Sequence, residues 1–339
     1  ARQVSRRFGT DHHEFIIRPE AEPLIEQVIA AMDEPIADSS AIPTFLVARE
    51  TRRHVKVALS GVGGDELFFG YPRHLGAKLS EGIPVFLRAP LGKVSKLFSS
   101  QPTGRDVWGW IRRFGEGLGL DPCQRYVRWT SFLAPEHRDA ILFSSFPRSN
   151  TVESDVARVF EQSAGSYLDR IFRVDANRYL PGNLLKFGDT MTMANSLELR
   201  VPFCDVDLVT EIARTSATAR LRGFRMKPML REIARGLLPD EIVHRKKQGF
   251  MVPIGRWFRA DLRDYLQRQL APENLPPFLN PLGVRQLVEG HLSARRNHTH
   301  LLWALLVLTR WLADKRQVGL PLEISDDSGG PAAGGPAIG

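Results

Sequence analysis

Cysteine is nearly absent from this chain. Only Cys123 and Cys204 occur in 339 residues, too few and too widely separated for a disulfide framework or a zinc cluster, and in keeping with a reducing compartment. Long apolar runs are missing as well. The longest, Leu301–Leu308, stops short of Arg310 and falls well below the ~18–20 residues of a membrane helix. No charged-then-apolar leader stands at the start. The expectation is a cytoplasmic protein with no membrane attachment. Lys and Arg number 46 against 38 Asp and Glu, a net charge of +8 that favours anionic ligands. Yet the basic residues are scattered (Arg2, Arg6, Arg7, Arg52, Arg53, then Arg245–Lys247) and no aromatic residues interleave with them. Nucleic acid is therefore not an expected partner.

Several nucleotide and nucleophile signatures are lacking too. A dinucleotide fingerprint needs glycine where Glu66 stands, and the Walker Gly-Lys-Ser/Thr sequence does not occur. A nucleophile elbow around Ser60 needs glycine at Ala58 and Val62. His12 and His13, adjacent on a strand, would point to opposite faces and chelate poorly. Cys204 has no histidine near it in sequence and reads as packing.

What is present is ordinary for a globular chain: 43% hydrophobic and 25% charged residues, in a length that suits about two domains of ~150 residues. There is no Met at the start. Ala1, Val4 and Phe8 fall at helical spacing before Gly9 as a stop, with nothing ahead to cap a helix. The chain reads as opening inside a helix, as a fragment of something longer.

Periodicity then predicts a strand over His13–Ile17 and a helix over Glu20–Met32 with Leu24, Ile25, Val28, Ile29 and Met32 on one face. Pro35 closes that helix. A second helix is expected over Ile42–Arg53 with Pro43 in its first turn. Val55–Leu59 reads as a buried strand, followed by glycines and a helix start near Asp65. This order predicts an open α/β sheet with ligands at the carboxyl ends of its strands. Beyond Leu75 the pattern is helical at Ser166–Leu180, Leu184–Leu197, Leu208–Thr215, Lys227–Leu237 and Leu301–Leu312, with an irregular helical insertion over Phe86–Phe146. Residues 323–339 are too polar and glycine-rich to pack and read as a disordered tail.

Four segments could carry chemistry. In Ser60-Gly61-Val62-Gly63-Gly64-Asp65-Glu66, glycines after a strand let backbone N–H groups approach phosphates, and Asp65 could hold magnesium. The same residues also suit a glycine turn with Asp65 as a helix cap. Glu198, in Asn195–Phe203, suits a general base or a structural ion pair with Arg200. Lys227 opens a helix where a cation opposes the macrodipole, so it serves either an anionic ligand or only solvent. His244–Phe250, with Lys247, suits a phosphate grip or a solvated loop.

Together these segments resemble the synthetase domain of the glutamine-dependent asparagine synthetases. The resemblance runs from Ala1-Arg2-Gln3 and Phe8–Glu14, through Asp33-Glu34-Pro35 with Ala37–Ser40 and Ile42-Pro43, to LSGVGGDELFFGY (59–71). It continues through MANSLELRVPF (193–203), Lys227 with Leu230-Arg231-Glu232, Arg245–Phe250 with Val252-Pro253, and Trp303 with Trp311. It implies an adenine-nucleotide α-hydrolase-like core of the pyrophosphate-loop ATPase type with a largely helical C-terminal part, residues 1–322 forming a partial synthetase domain. The implied substrates and cofactors are ATP, Mg2+, aspartate, and ammonia released from glutamine in a separate glutaminase domain. The implied chemistry passes through β-aspartyl-AMP. Ser60, Gly61, Gly63 and Gly64 would line the nucleotide pocket and Asp65 would bind magnesium and pyrophosphate. Glu198 would help deprotonate the amine, and Lys227 and Lys247 would face the phosphates. A homodimer is compatible with this picture. Departures from the family pattern are Val62 in place of an acid and Lys186–Thr190 in place of Lys-x-Asp-Arg. The SGGxDS pyrophosphate loop and the glutaminase cysteine are both missing from the chain. Half of the phosphate grip and a central strand are thereby expected to lie elsewhere, leaving exposed sheet edges and a chain that does not adenylate alone. A relative acting on another acid, or a catalytically silent nucleotide-binding scaffold, are the competing readings.

Overall fold

A computed structural model describes residues 1–16, 20–95, 97, 107–147, 151–245, 249 and 252–317. The expected tail lies outside these residues, as do Ile17 and Lys247. The chain opens with α1 (Arg2–Phe8), stopped by Gly9 in the left-handed conformation at φ 60°. The expected strand over 13–17 does not form among its described residues, 13–16. Glu14 turns instead to Arg2 (2.6–2.9 Å) and His13 stacks on His54 at 4.3 Å.

The helices α2 (Ala21–Ala30) and α3 (Ala41–Thr51) follow the predicted pattern, burying Leu24, Ile25, Val28, Ile29, Ile42 and Phe45. β1 is only Val57–Leu59. After it come α4 (Pro72–Glu81), α5 (Val85–Ser95), α6 (Val107–Leu118), α7 (Pro122–Thr130), α8 (Pro135–Ile141), α9 (Thr151–Gln162) and α10 (Tyr167–Val174). The segment expected as an irregular helical insertion is helical, with regular helices joined by short turns among its described residues. α5 and α6 approach closely at glycines: a Cβ on Gly92 would stand 2.8 Å from the Gly115 carbonyl. A π-helix, Asp175–Leu185, carries α10 directly into α11 (Lys186–Met193). It contains Pro181, which cannot donate to an α-helical ladder.

β2 (Glu198–Arg200) pairs with β1 in parallel, Val57 with Glu198, Ala58 with Leu199 and Leu59 with Arg200. Then follow α12 (Val206–Arg214), α13 (Ala217–Arg220), α14 (Pro228–Ala234), α15 (Asp240–Val243), α16 (Ile254–Trp257), α17 (Arg263–Gln269), α18 (Pro281–Leu292) and α19 (Thr299–Gln317). Among the described residues the sheet has two strands, so the architecture is a mostly helical α/β one with a small parallel sheet. No helix in it is long and apolar enough to cross a membrane.

β1 is not the buried strand that its composition suggests. Val57 is 41% and Leu59 74% exposed, because a helix covers one sheet face only. On that inner face Leu199 lies against Gly188 of α11, whose Cβ, if present, would stand 3.3 Å from the leucine methyl. Alternation along the strands puts Val57, Leu59, Glu198 and Arg200 on the outer face. Two hydrophobic cores flank this centre. One joins α2 and α3 to α16–α19 around Trp303; the other gathers Leu67, Phe68 and Phe69 with α4, α7, α9, α10 and α12.

The second core encloses a charged network. Asp175 is fully buried and accepts from Arg73 Nη2 (3.0 Å), His74 Nε2 (2.7 Å) and the Tyr126 hydroxyl (2.6 Å). Burial pushes its carboxyl up, but the Arg73 charge and these hydrogen bonds more than offset that and hold it below the ordinary range. The Arg73 guanidinium packs in the corner formed by the perpendicular rings of Tyr71 (4.0 Å) and Tyr179 (4.5 Å). His74 Nδ1 accepts from the Tyr71 amide at 3.3 Å, so the ring fits its neutral, Nε2-protonated form.

Two outcomes are expected. Removing the shared acceptor with Asp175→Ala strands a buried guanidinium, an imidazole and a phenol, and should lower the unfolding free energy in urea by about 3–5 kcal/mol; a loss below ~1 kcal/mol would show the network to be peripheral. The second concerns His291 and His298, both held at about 4, first by burial. His291 Nε2 donates to the Gly255 carbonyl (3.2 Å) while Nδ1 accepts from the His298 amide (3.2 Å), so the neutral ring is satisfied and the cation is not. Their folded values lie below the unfolded one, so the unfolded state binds more protons as pH falls from ~6.5 to ~4. Stability should drop there by about 1.4 kcal/mol per pH unit per histidine. Urea midpoints that stay level between pH 7 and pH 5 would contradict this.

Candidate active site

The glycine segment begins where β1 ends. The Ser60 amide donates to the Arg200 carbonyl (2.8 Å), which ties the loop to the carboxyl end of β2. Ser60 Oγ accepts from the Val62 amide at 3.3 Å. Gly63, at φ +93°, lies so close to the turn at Pro202–Cys204 that a Cβ would meet Cys204 Sγ at 2.9 Å and Phe203 Cβ at 3.1 Å. Glycine is required there both for conformation and for space. Gly61 differs: a Cβ on it would meet nothing within 4 Å, so space is open on that side of the loop, while its carbonyl accepts from the Gly64 amide at 3.2 Å.

The helix expected to start near Asp65 starts at Pro72 instead, with Tyr71 as its cap. Residues 62–69 form successive turns that end at Phe69 in the left-handed region, φ 53°. Phe69 is held there by edge contacts with His74 (5.0 Å) and Phe172 (6.4 Å) and by the buried Arg220 guanidinium at 4.7 Å. These turns present Asp65, 29% exposed, to Lys227, 27% exposed, with Oδ1 and Nζ 3.0 Å apart. Lys227 is itself left-handed (φ 53°, ψ 44°) immediately before α14. Strain of this kind costs about 1–3 kcal/mol and collects at sites where geometry matters more than stability.

Gly70 completes the arrangement. A Cβ there would stand 1.9 Å from Asp65 Oδ1 and 2.4 Å from Lys227 Cε. The acid, the glycine and the lysine thus form one clamp from two distant segments. Beneath it Glu66, almost wholly buried, accepts from the Tyr71 hydroxyl. Burial pushes the Glu66 carboxyl above the ordinary range despite that bond. Sequence reading quoted Glu66, Gly70 and Tyr71 within the 59–71 motif without giving them a role, and did not single out Arg73 or Asp175. The first four lie within or beside the LFFGY stretch and were legible as its continuation, but Asp175 lies in a helical segment with no local signal.

Glu198 stands elsewhere. It opens β2 on the outer sheet face, paired through the backbone with Val57 at the end of the ladder remote from Ser60. Its carboxylate accepts from Arg200 Nε at 2.8 Å, the ion pair weighed as one of its two readings. Lys247 lies outside the described residues. Among the described residues no group of three or more His, Cys, Asp or Glu side chains could cage a metal. Magnesium, however, commonly takes one or two carboxylates with phosphate and water completing its shell, so a single carboxylate at Asp65 is a suitable donor set.

Comparison with known proteins places this geometry in a family. The chain matches the asparagine synthase family model over residues 1–313. It is 30% identical over 319 residues to asparagine synthetase [glutamine-hydrolyzing] 1 of Bacillus subtilis, covering 92% of this chain and 49% of that protein. A putative asparagine synthetase [glutamine-hydrolyzing] of Mycobacterium tuberculosis is 33% identical over 295 residues, 85% of this chain and 44% of the relative. More remote is an amidase of Penicillium rubens, 22% identical over 298 residues. The chain spans about half the length of the curated relatives it matches. With a family match running through every segment that builds the clamp, the chain belongs to the asparagine synthase family.

Proposed function

We propose that this chain supplies one wall of an ATP-dependent amide-forming site that converts aspartate to asparagine. The observation that carries the reading is the Asp65–Gly70–Lys227 clamp beside an open glycine loop at the carboxyl end of a parallel strand. Ligands in α/β sheets bind at that end. In the first step the aspartate side-chain carboxylate attacks the α-phosphorus of ATP; an acyl–oxygen–phosphorus bond forms and pyrophosphate leaves. In the second, ammonia attacks the acyl carbon, AMP leaves with the bonding pair, and one proton is lost. Ser60, Gly61, Gly63 and Gly64 line the phosphate side, the Ser60 and Gly64 amides holding the loop in place through the Arg200 and Gly61 carbonyls. Asp65 would hold a magnesium ion, which would neutralise phosphate charge. Lys227, released from Asp65, turns its ammonium to the phosphates, and Lys247 is proposed as a second cation there. Glu198 takes the proton from the amine, for which it must give up its bond to Arg200. Ammonia comes from glutamine through a glutaminase domain of the whole cytoplasmic protein, with a homodimer as its proposed assembly. The apolar, exposed outer face of β1 supports a covering layer, and the short two-stranded sheet supports further strands at its edges, of the pyrophosphate-loop type, carrying the rest of the phosphate grip.

Equilibrium dialysis of Mg-ATP should show Asp65→Ala weakening binding at least ~10-fold, the loss of one charged contact. Gly70→Ala should weaken it comparably, because its methyl would displace both ends of the clamp. Binding by Asp65→Ala equal to that of the parent would leave a scaffold as the better reading. The 339-residue chain given ATP, magnesium and aspartate should release no pyrophosphate above background; robust turnover would sink the view that this is one wall of the site.

A further inference from the structure

Asp65 and Lys227 stand on segments distant in sequence, and a buried cation ties those segments together. Arg220 is the last residue of α13, on the stretch that leads to Lys227, and is 1% exposed. Its guanidinium carbon lies 3.9 Å from the centroid of Phe172 and 4.7 Å from that of Phe69. These two rings meet edge to face at 6.4 Å, and the guanidinium packs in the corner between them. Phe69 immediately precedes Gly70, so a side chain on the Lys227 segment grips the turn that carries Asp65. Lys78 adds a second tie: its Nζ donates to the carbonyls of Leu221 (2.7 Å) and Gly223 (2.9 Å), in the loop between Arg220 and Lys227.

Arg220 is a poor choice for stability alone. Nε donates to the Thr215 carbonyl at 3.0 Å, and Nη2 reaches Asp169 Oδ1 only at 3.3 Å. Nη1 is buried with no partner among the described residues. Burial pulls the guanidinium down to about 10, and the Asp169 charge offsets this only in part. Asp169 is meanwhile engaged elsewhere. It accepts from the Ser166 amide (3.1 Å) and hydroxyl (2.8 Å) at the start of α10, and from the Ala217 amide (2.9 Å) at the start of α13. It therefore stays satisfied without the arginine. A buried charge paired so incompletely is often replaced by an apolar side chain at no loss of stability. An apolar side chain, however, lacks a flat cation to set against the ring faces. The ring it would have to hold, that of Phe69, sits on backbone that local propensity disfavours.

We propose that Arg220 is a positioning residue for the clamp: through Phe69 it fixes the turn carrying Asp65 against the segment carrying Lys227. The inference rests on the clamp reading above and adds to it a residue that touches neither nucleotide nor metal. Breaking a stability rule beside a site is what a role in geometry, rather than in folding, would produce.

The test is amine labelling of the 339-residue chain with acetic anhydride, without nucleotide or metal, the Lys227 rate being read by peptide mass spectrometry against that of the exposed Lys56. Arg220→Met should speed Lys227 labelling at least ~3-fold, the scale of one partly exposed ion pair, while the urea midpoint stays level or rises. Phe69→Leu should speed it as well, and adding Arg220→Met to Phe69→Leu should give no further gain, because both remove one contact. In equilibrium dialysis Arg220→Met should bind Mg-ATP at least ~3-fold more weakly than the parent. Lys227 labelling at the parent's rate, gains that add in the double variant, or Mg-ATP binding equal to the parent's would each overturn the proposal. A lowered urea midpoint, or failure of Arg220→Met to fold, would overturn it too, by making the arginine a structural one. Because labelling needs no nucleotide, a parent that binds no Mg-ATP would defeat the reading above and leave this one to be decided by the Lys227 rate.

Discussion

A carboxylate buried without compensation would ionise only at great cost, and Asp175 is buried completely. The structure answers that constraint by bringing Arg73, His74 and Tyr126 to it, and much of the remaining architecture follows. Arg73 and His74 belong to the first turn of α4, so the start of that helix is pinned to the π-helix. His74 then receives the Tyr71 amide, and Tyr71 reaches back to Glu66. The turns between Glu66 and Tyr71 are consequently closed at both ends. The single interaction therefore sets where Asp65 stands.

The clamp inherits this rigidity. Phe69 and Lys227 both occupy left-handed conformations that non-glycine residues rarely adopt, and each is held by surroundings that over-determine it. Phe69 is packed among rings and a buried guanidinium; Lys227 is bonded to Asp65 across Gly70. A polar network under the loop and strain within it are complementary features. The network restricts alternatives, and the restriction maintains a strained geometry that local propensity would abandon. Pro72, Leu75 and Leu79 of α4 line an apolar cavity with Trp110, Phe224 and Met226, so one element serves both the charged network and an apolar surface.

Periodicity made the helical elements legible. Leu24, Ile25, Val28 and Ile29 recur at the spacing of one buried face, and α2 forms where they do. The same holds for α3 and, with extension at both ends, for α19. The expected helices at 166–180 and 184–197 are one continuous run through a π-helix, because the proline that suggests a break is absorbed by a register change. Val57–Leu59 misled as to burial: apolar β-branched composition resembles that of a covered strand, while cover depends on neighbours that composition does not specify. The strand expected at 13–17 is not formed by its described residues, 13–16, for a related reason, since a strand needs a partner to pair with.

For the site, residue types and their order were legible along the chain: a strand, glycines that admit close approach, an acid, and a lysine opening a later helix. Those are local properties, encoded by conformational freedom and side-chain chemistry. Tertiary structure alone decided which of them meet. It put Lys227 on Asp65 over Gly70 and left Glu198 on the outer sheet face bonded to Arg200. It also chose Asp175 as the acceptor beneath the loop. Contact between distant segments is set by packing and by the need to satisfy buried charge, and neither quantity is written in the spacing of residues along the chain.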